Sequence, residues 1–214
     1  EEAYQQALDC SKLIQSKDIV FKNESGEIIQ LPQSYKTIIP VCVVSDHYPA
    51  LASQARQFLK PEVDRIIQNP FITDVFFIDT LTEMLPSPLH IFDYLLKRSG
   101  YGNSIIINHE LSTLAIYIRQ NLYFNDEFQM VMLSDDVTCD LDLAMMARRD
   151  NLKGVPVTPA GLLTKYKTSH TGKLLDQVLF SKSYELQQIG FYLLSLNEKT
   201  IKLINRAIDK TIDR

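Results

Sequence analysis

Thr73-Asp-Val-Phe-Phe-Ile-Asp-Thr-Leu-Thr-Glu-Met-Leu-Pro-Ser-Pro-Leu-His-Ile-Phe-Asp-Tyr-Leu-Leu-Lys-Arg98 reads as a buried strand running into two capped helices. The apolar run Val75-Phe-Phe-Ile78 supplies the strand. Thr80 with Glu83 has the spacing of a capping box, and Ser87 followed by Pro88 offers a second N-cap with proline at the first helical position. The helix carrying Leu89, Phe92, Leu95 and Leu96 should end near Arg98, with Gly100 as its left-handed cap. These are signals of scaffold rather than of a site.

Upstream, Thr37-Ile-Ile-Pro-Val-Cys-Val-Val44 is a nearly continuous β-branched run, the pattern of a parallel strand buried on both faces. Pro40 removes a ladder donor and favours a strand start, an edge or a bulge. Leu51, Ala55, Phe58, Leu59, Val63, Ile66 and Ile67 keep helical spacing, with a break at Pro61. Strand, helix and strand in this order predict a right-handed βαβ crossover. Earlier still, Ala3, Tyr4, Ala7, Leu8 and Ile14 predict a helix without a preceding cap, as in a fragment, a processed product or a truncated chain. Ile19-Val-Phe and Ile28-Ile-Gln-Leu flank Asn23-Glu-Ser-Gly26 as a short hairpin.

Downstream, Asn108 is the expected cap of a helix striped by Leu111, Leu114, Ala115, Ile118 and Leu122. Phe128-Gln-Met-Val-Met-Leu133 predicts another strand, and Leu143-Ala-Met-Met-Ala147 another helix. Gly154-Val-Pro-Val-Thr-Pro-Ala-Gly161 is the clearest linker. Beyond it the chain reads as all helix, ending in an Asn197-capped helix with Ile201, Ile204, Ile208 and Ile212 on one face. The expected architecture is α/β: a partial mixed sheet with packed helices over residues 1–153, then an all-helical extension over 154–214.

The 214 residues are 45% hydrophobic and 22% charged, ordinary values for a globular chain. With 26 acidic and 22 basic side chains the net charge is −4, so contact with nucleic acid would need a local patch. No apolar run approaches the roughly 20 residues of a membrane helix, and the polar start does not resemble a secretory signal. The expectation is a cytoplasmic protein with no membrane association. Cys10, Cys42 and Cys139 lack Cys-x-x-Cys spacing, which argues against a disulfide framework or a structural zinc site.

Four groups carry candidate chemistry. Asp46 and His47 follow the predicted strand at the sheet's carboxyl edge, where α/β folds bind ligands; the pair suits a base or a metal ligand, or Asp46 caps the next helix. Asp135, Asp136, Asp140 and Asp142 could hold a hard cation, but they also suit a helix N-terminus. Lys165, Lys167, His170 and Lys173, interleaved with Tyr166, form a small basic patch suited to phosphate, or a solvated loop. Ser169-His-Thr-Gly-Lys lacks the upstream glycine and preceding strand of a phosphate-binding loop. His90 and His109 lie on predicted helices without spaced partners and read as surface or capping residues.

The succession Ile38-Ile-Pro-Val-Cys-Val-Val-Ser-Asp46, Phe76-Phe-Ile-Asp-Thr-Leu-Thr-Glu-Met-Leu85, Tyr94-Leu-Leu-Lys-Arg98 and Asn121-Leu-Tyr-Phe124 resembles the C-terminal part of uncharacterised bacterial restriction-endonuclease-like proteins. The resemblance implies a mixed α/β nuclease core in which a Glu or Asp, an Asp and a Glu-x-Lys bind magnesium and activate water. No predicted strand here carries Glu-x-Lys, so the family's metal ligands would lie upstream, and Gln5 and Gln6 would fall near its helix glutamine. The resemblance therefore implies an inactive, non-catalytic portion of a metal-dependent nuclease that positions nucleic acid or a partner. The residues leave two other readings open. One is an interaction or regulatory module docking a protein through its C-terminal helix, and the other an α/β hydrolytic enzyme using Asp46 and His47.

Overall fold

The computed structural model describes residues 1–16, 19–31, 34–45, 52–124, 130–162 and 166–212. These form a mostly helical α/β structure with two separate two-stranded parallel ladders, rather than one mixed sheet.

Helix α1 (Glu2–Ser16) buries Tyr4 and Leu8 one turn apart. They pack against Cys42 and Ile67, with Ala3, Ala7 and Ile72 at the margin. The Cys42 thiol donates to the Ala3 carbonyl at 3.5 Å, and the Tyr4 hydroxyl accepts the Glu62 amide at 2.6 Å. The predicted hairpin follows as one antiparallel bridge between Lys22 and Ile28. Gly26, at φ +80°, closes its turn by donating to the Asn23 carbonyl.

Strand β1 (Val41–Val44) pairs in parallel with β2 (Phe71–Asp74), Val41 opposite Phe71 and Val44 opposite Asp74. The parallel pair was expected, but its connection and its burial were not. In place of the long helix, Ala52 and Ser53 are helical and a 3₁₀ turn follows at Ala55–Gln57, with Leu51 outside the described residues. Pro61 lacks the amide a helix would use, and Asp64 Oδ1 captures the Ile66 and Ile67 amides, each at 2.6 Å, in a competing local turn. Nor is β1 buried on both faces. Cys42 lies under α1, whereas Val41 is 40% and Val43 50% exposed.

The stretch 75–78 is helix rather than strand. Asp74 ends β2 and caps α2 (Val75–Met84), its carboxylate accepting the Phe77 amide at 2.8 Å. Adjacent Phe76 and Phe77 are 66% and 2% exposed, and Phe77, Thr80, Leu81 and Met84 form the buried face. Thr80 is therefore mid-helix, bonded to the Phe76 carbonyl at 3.0 Å, and does not open a capping box. The Ser87 cap holds: Pro88 begins α3 (Pro88–Tyr101), which ends at Gly102, φ +52°, one turn later than expected. Gly100 lies inside it.

Strand β3 (Ile105–Ile106) pairs in parallel with β4 (Val131–Met132); Phe128 and Gln129 lie outside the described residues. Between them runs α4 (Glu110–Gln120), capped by His109 rather than Asn108. Its fully buried Leu114, Tyr117 and Ile118 meet Phe71, Phe77 and Tyr94 in the principal core. The Tyr94 and Tyr117 rings meet edge to face, their centroids 5.4 Å apart. Helix α5 (Cys139–Asp150) begins four residues before the predicted run, after a 3₁₀ turn at Asp135–Thr138.

The linker is docked rather than free. Gly161 lies so close to the Ile118 carbonyl that a Cβ there would overlap it. The extension then forms α6 (His170–Val178), α7 (Tyr184–Ser195) and α8 (Glu198–Ile212), the last capped by Asn197 as expected. Leu179 and Leu194 bury against Leu89, which seats the extension on α3.

Candidate functional site

Helices α3 and α4 enclose a polar seam that no sequence motif announced. Arg98 and Glu110 are both buried and bonded through two contacts, Nε to Oε1 at 2.6 Å and Nη2 to Oε2 at 3.3 Å. Arg98 also donates to the Ser53 carbonyl at 3.2 Å, and Tyr94 bridges Glu110 and Thr113. One turn away, Asp93 accepts from Lys97 at 2.7 Å and from the Tyr117 hydroxyl at 2.9 Å. Lys97 reaches on to Asn121 and to the Leu194 carbonyl at 2.8 Å, joining α3 to the end of α7. Burial raises the Asp93 pKa against the opposing pull of Lys97 and Tyr117. With these donors and acceptors matched, the seam is a connector between helices.

At the start of α3, Ser87 Oγ accepts the His90 amide and lies 2.9 Å from His90 Nδ1. The contact fixes the ring through Nδ1, either atom being able to donate, and leaves Nε2 facing away from Ser87. His90 is 3% exposed, and burial lowers its pKa to about 4, partly offset by Asp176. The ring is thus neutral at pH 7. It faces a cavity of about 120 Å³ walled by Leu175, Leu179, Leu194 and Ile201, with Tyr166 and Lys167 also lining it. Ser87, held in the cap, is not presented as a nucleophile. His90 is neither a surface residue nor itself a cap, contrary to the sequence reading; His109 is a cap, its Nδ1 accepting the Leu111 amide at 3.1 Å.

The second notable surface is the open side of the β1/β2 ladder. Phe71 donates to the Pro40 carbonyl at 2.8 Å. Parallel alternation then turns the amides and carbonyls of Val41 and Val43 away from β2. Their side chains project from the ladder face opposite α1.

The sequence candidates do not converge. Asp46, His47 and Lys165 lie outside the described residues. Asp140 pairs with Arg119 at 3.5 Å, Asp142 accepts from Thr138 at 2.7 Å, and Asp135 accepts from Asn108 at 3.5 Å. Asp135 and Asp136 occupy the first turn of the 3₁₀ segment, and Ser134 rather than either carboxylate is at its cap position. Among the described residues no group of three or more His, Cys, Asp or Glu side chains is placed to hold a metal ion. Lys167 and Lys173 are exposed, while His170 is bonded to Asp209 at 2.8 Å. Gly172 packs against the Tyr166 carbonyl with no room for a side chain, and Ser169 caps α6 by accepting the Gly172 amide. That hydroxyl caps a helix instead of cradling phosphate.

Sequence reasoning missed His90 because its signal is local. Ser87-x-x-His90 has capping-box spacing with His in the place of Glu or Gln. No helix among the described residues is long and apolar enough to cross a membrane. No family model, curated protein or solved structure matches the chain.

Proposed function

We propose that this chain is the non-catalytic part of a larger bacterial nuclease-like protein, cytoplasmic, in which it extends the sheet of a companion core and positions nucleic acid. The observation carrying this reading is the open ladder. Parallel strands are normally covered on both faces, yet Val41 and Val43 expose apolar side chains and direct main-chain groups away from β2 that have no partner among the described residues. A strand of the companion core is the occupant such an edge accepts, by main-chain pairing in the manner of strand addition. Exposed Lys167 and Lys173 supply cationic contacts for phosphate on the extension. Magnesium, in this reading, belongs to the companion core.

The docking-module alternative has less behind it. The Ile201 end of the α8 face is buried inside the molecule, and Asn205 on that helix bonds to Thr171 at 2.9 Å. The hydrolase alternative rests on Asp46 and His47 alone.

The test is the Val41→Lys/Val43→Lys double variant in the protein as expressed from its native gene. Magnesium-dependent DNA cleavage should fall at least about tenfold, while this chain alone melts as before, because both side chains lie on solvated surface. A native protein of the same mass as this chain, or full cleavage by the variant, would overturn the proposal.

A further inference from the structure

The cavity beside His90 sets an apolar wall against a buried imidazole. Leu175, Leu179, Leu194 and Ile201 form the apolar part of its wall, with exposed Lys167 and Asp176 also lining it. At about 120 Å³ it approaches the roughly 150 Å³ known to admit benzene. One polar atom stands apart. Among the described residues His90 Nε2 has no hydrogen-bond partner, although the residue is almost wholly buried and Ser87 fixes its ring through Nδ1. Thr171, at the same cavity, is engaged by Asn205.

We infer that this cavity binds a small neutral ring compound bearing one hydroxyl group, of the size of phenol, with the hydroxyl on His90 Nε2. Three features select this class. The volume admits a single six-membered ring, and the hydrocarbon walls favour an apolar body. Nε2 asks for one hydrogen-bonding group, and a hydroxyl serves as donor or acceptor as the imidazole requires. The site lies where α3 meets α6, α7 and α8, so its occupant touches both the α/β portion and the extension. The inference is independent of the nuclease reading.

The experiment titrates phenol and then benzene into the purified chain, following the His90 ring nitrogens by long-range proton–nitrogen correlation. Phenol should give saturable shifts at Nε2 and bind about fivefold more tightly than benzene, the ratio one neutral hydrogen bond supplies. Leu175→Phe, which fills the cavity from a half-buried wall position, should abolish binding, and the milder Leu175→Met should retain it. Absence of a saturable shift at His90, equal affinity for phenol and benzene, or undiminished binding by a folded Leu175→Phe protein would each overturn the inference. If Leu175→Phe does not fold, the phenol and benzene comparison in the unaltered chain still decides.

Discussion

Glu110 and His90 show how much a single buried group can control. Arg98 and Glu110 are a buried, doubly bonded pair, so Glu110→Ala removes the carboxylate that faces the guanidinium inside the core. Loss of about 3–5 kcal/mol is expected in urea unfolding, much of it recovered when Arg98→Met is added. His90 fixes the acid side of the stability profile. Its folded pKa, about 4, lies below the unfolded value near 6.5, so its stabilisation is present above pH 6.5 and is lost as pH falls toward 4. The loss is on the order of 3 kcal/mol. Asp93 has the opposite sign: its raised pKa means the folded state takes up a proton first, returning part of that stability at lower pH. Urea midpoints measured from pH 7 to 4 should therefore fall and then flatten in the unaltered chain, with a smaller fall in His90→Phe. The Asp93–Lys97 and Ser87–His90 pairs have helical spacing in the sequence, but Arg98 and Glu110 meet through helix packing, which spacing does not show.

Individual elements were legible where a local signal was unopposed. The Ser87-Pro88 start, the Asn197 cap, the N-terminal helix and the Gly26 turn all formed as the residues predict. Two failures share a cause: a side chain captured backbone amides that an apolar run would otherwise have used. Asp74 turned 75–78 from strand to helix, and Asp64 held 64–67 out of a helix. Asp74→Ala should cost about 1 kcal/mol in urea unfolding through loss of the α2 cap. An unchanged midpoint would show that packing of Phe77 and Leu81 alone sets the helix start. Gly161 also acts at this scale. Gly161→Ala drives a methyl into the Ile118 carbonyl, so the linker must lift from α4. Limited proteolysis should then cut within 154–161 faster than in the unaltered chain, and an identical digestion pattern would count against a tightly docked linker.

At the scale of the molecule, the sequence pattern pointed to an α/β chain with parallel strands, and the described residues are mostly helical with two parallel ladders. It could not show that the ladders would be short and separate, since a β-branched run reads alike whether covered on one face or two. Lys97 and the Leu89, Leu179 and Leu194 cluster join the extension to α3, so the part that carries Lys167 and Lys173 is anchored to the part that carries β1. Such a connection lets an edge-docked core and a nucleic-acid contact share one scaffold. The most direct test is amide hydrogen exchange of Val41 and Val43 in this chain and in the protein expressed from its native gene. The account predicts fast exchange in the isolated chain and slowing by about a hundredfold or more in the native protein, where a companion strand covers that edge. Equal, fast exchange in both would contradict it.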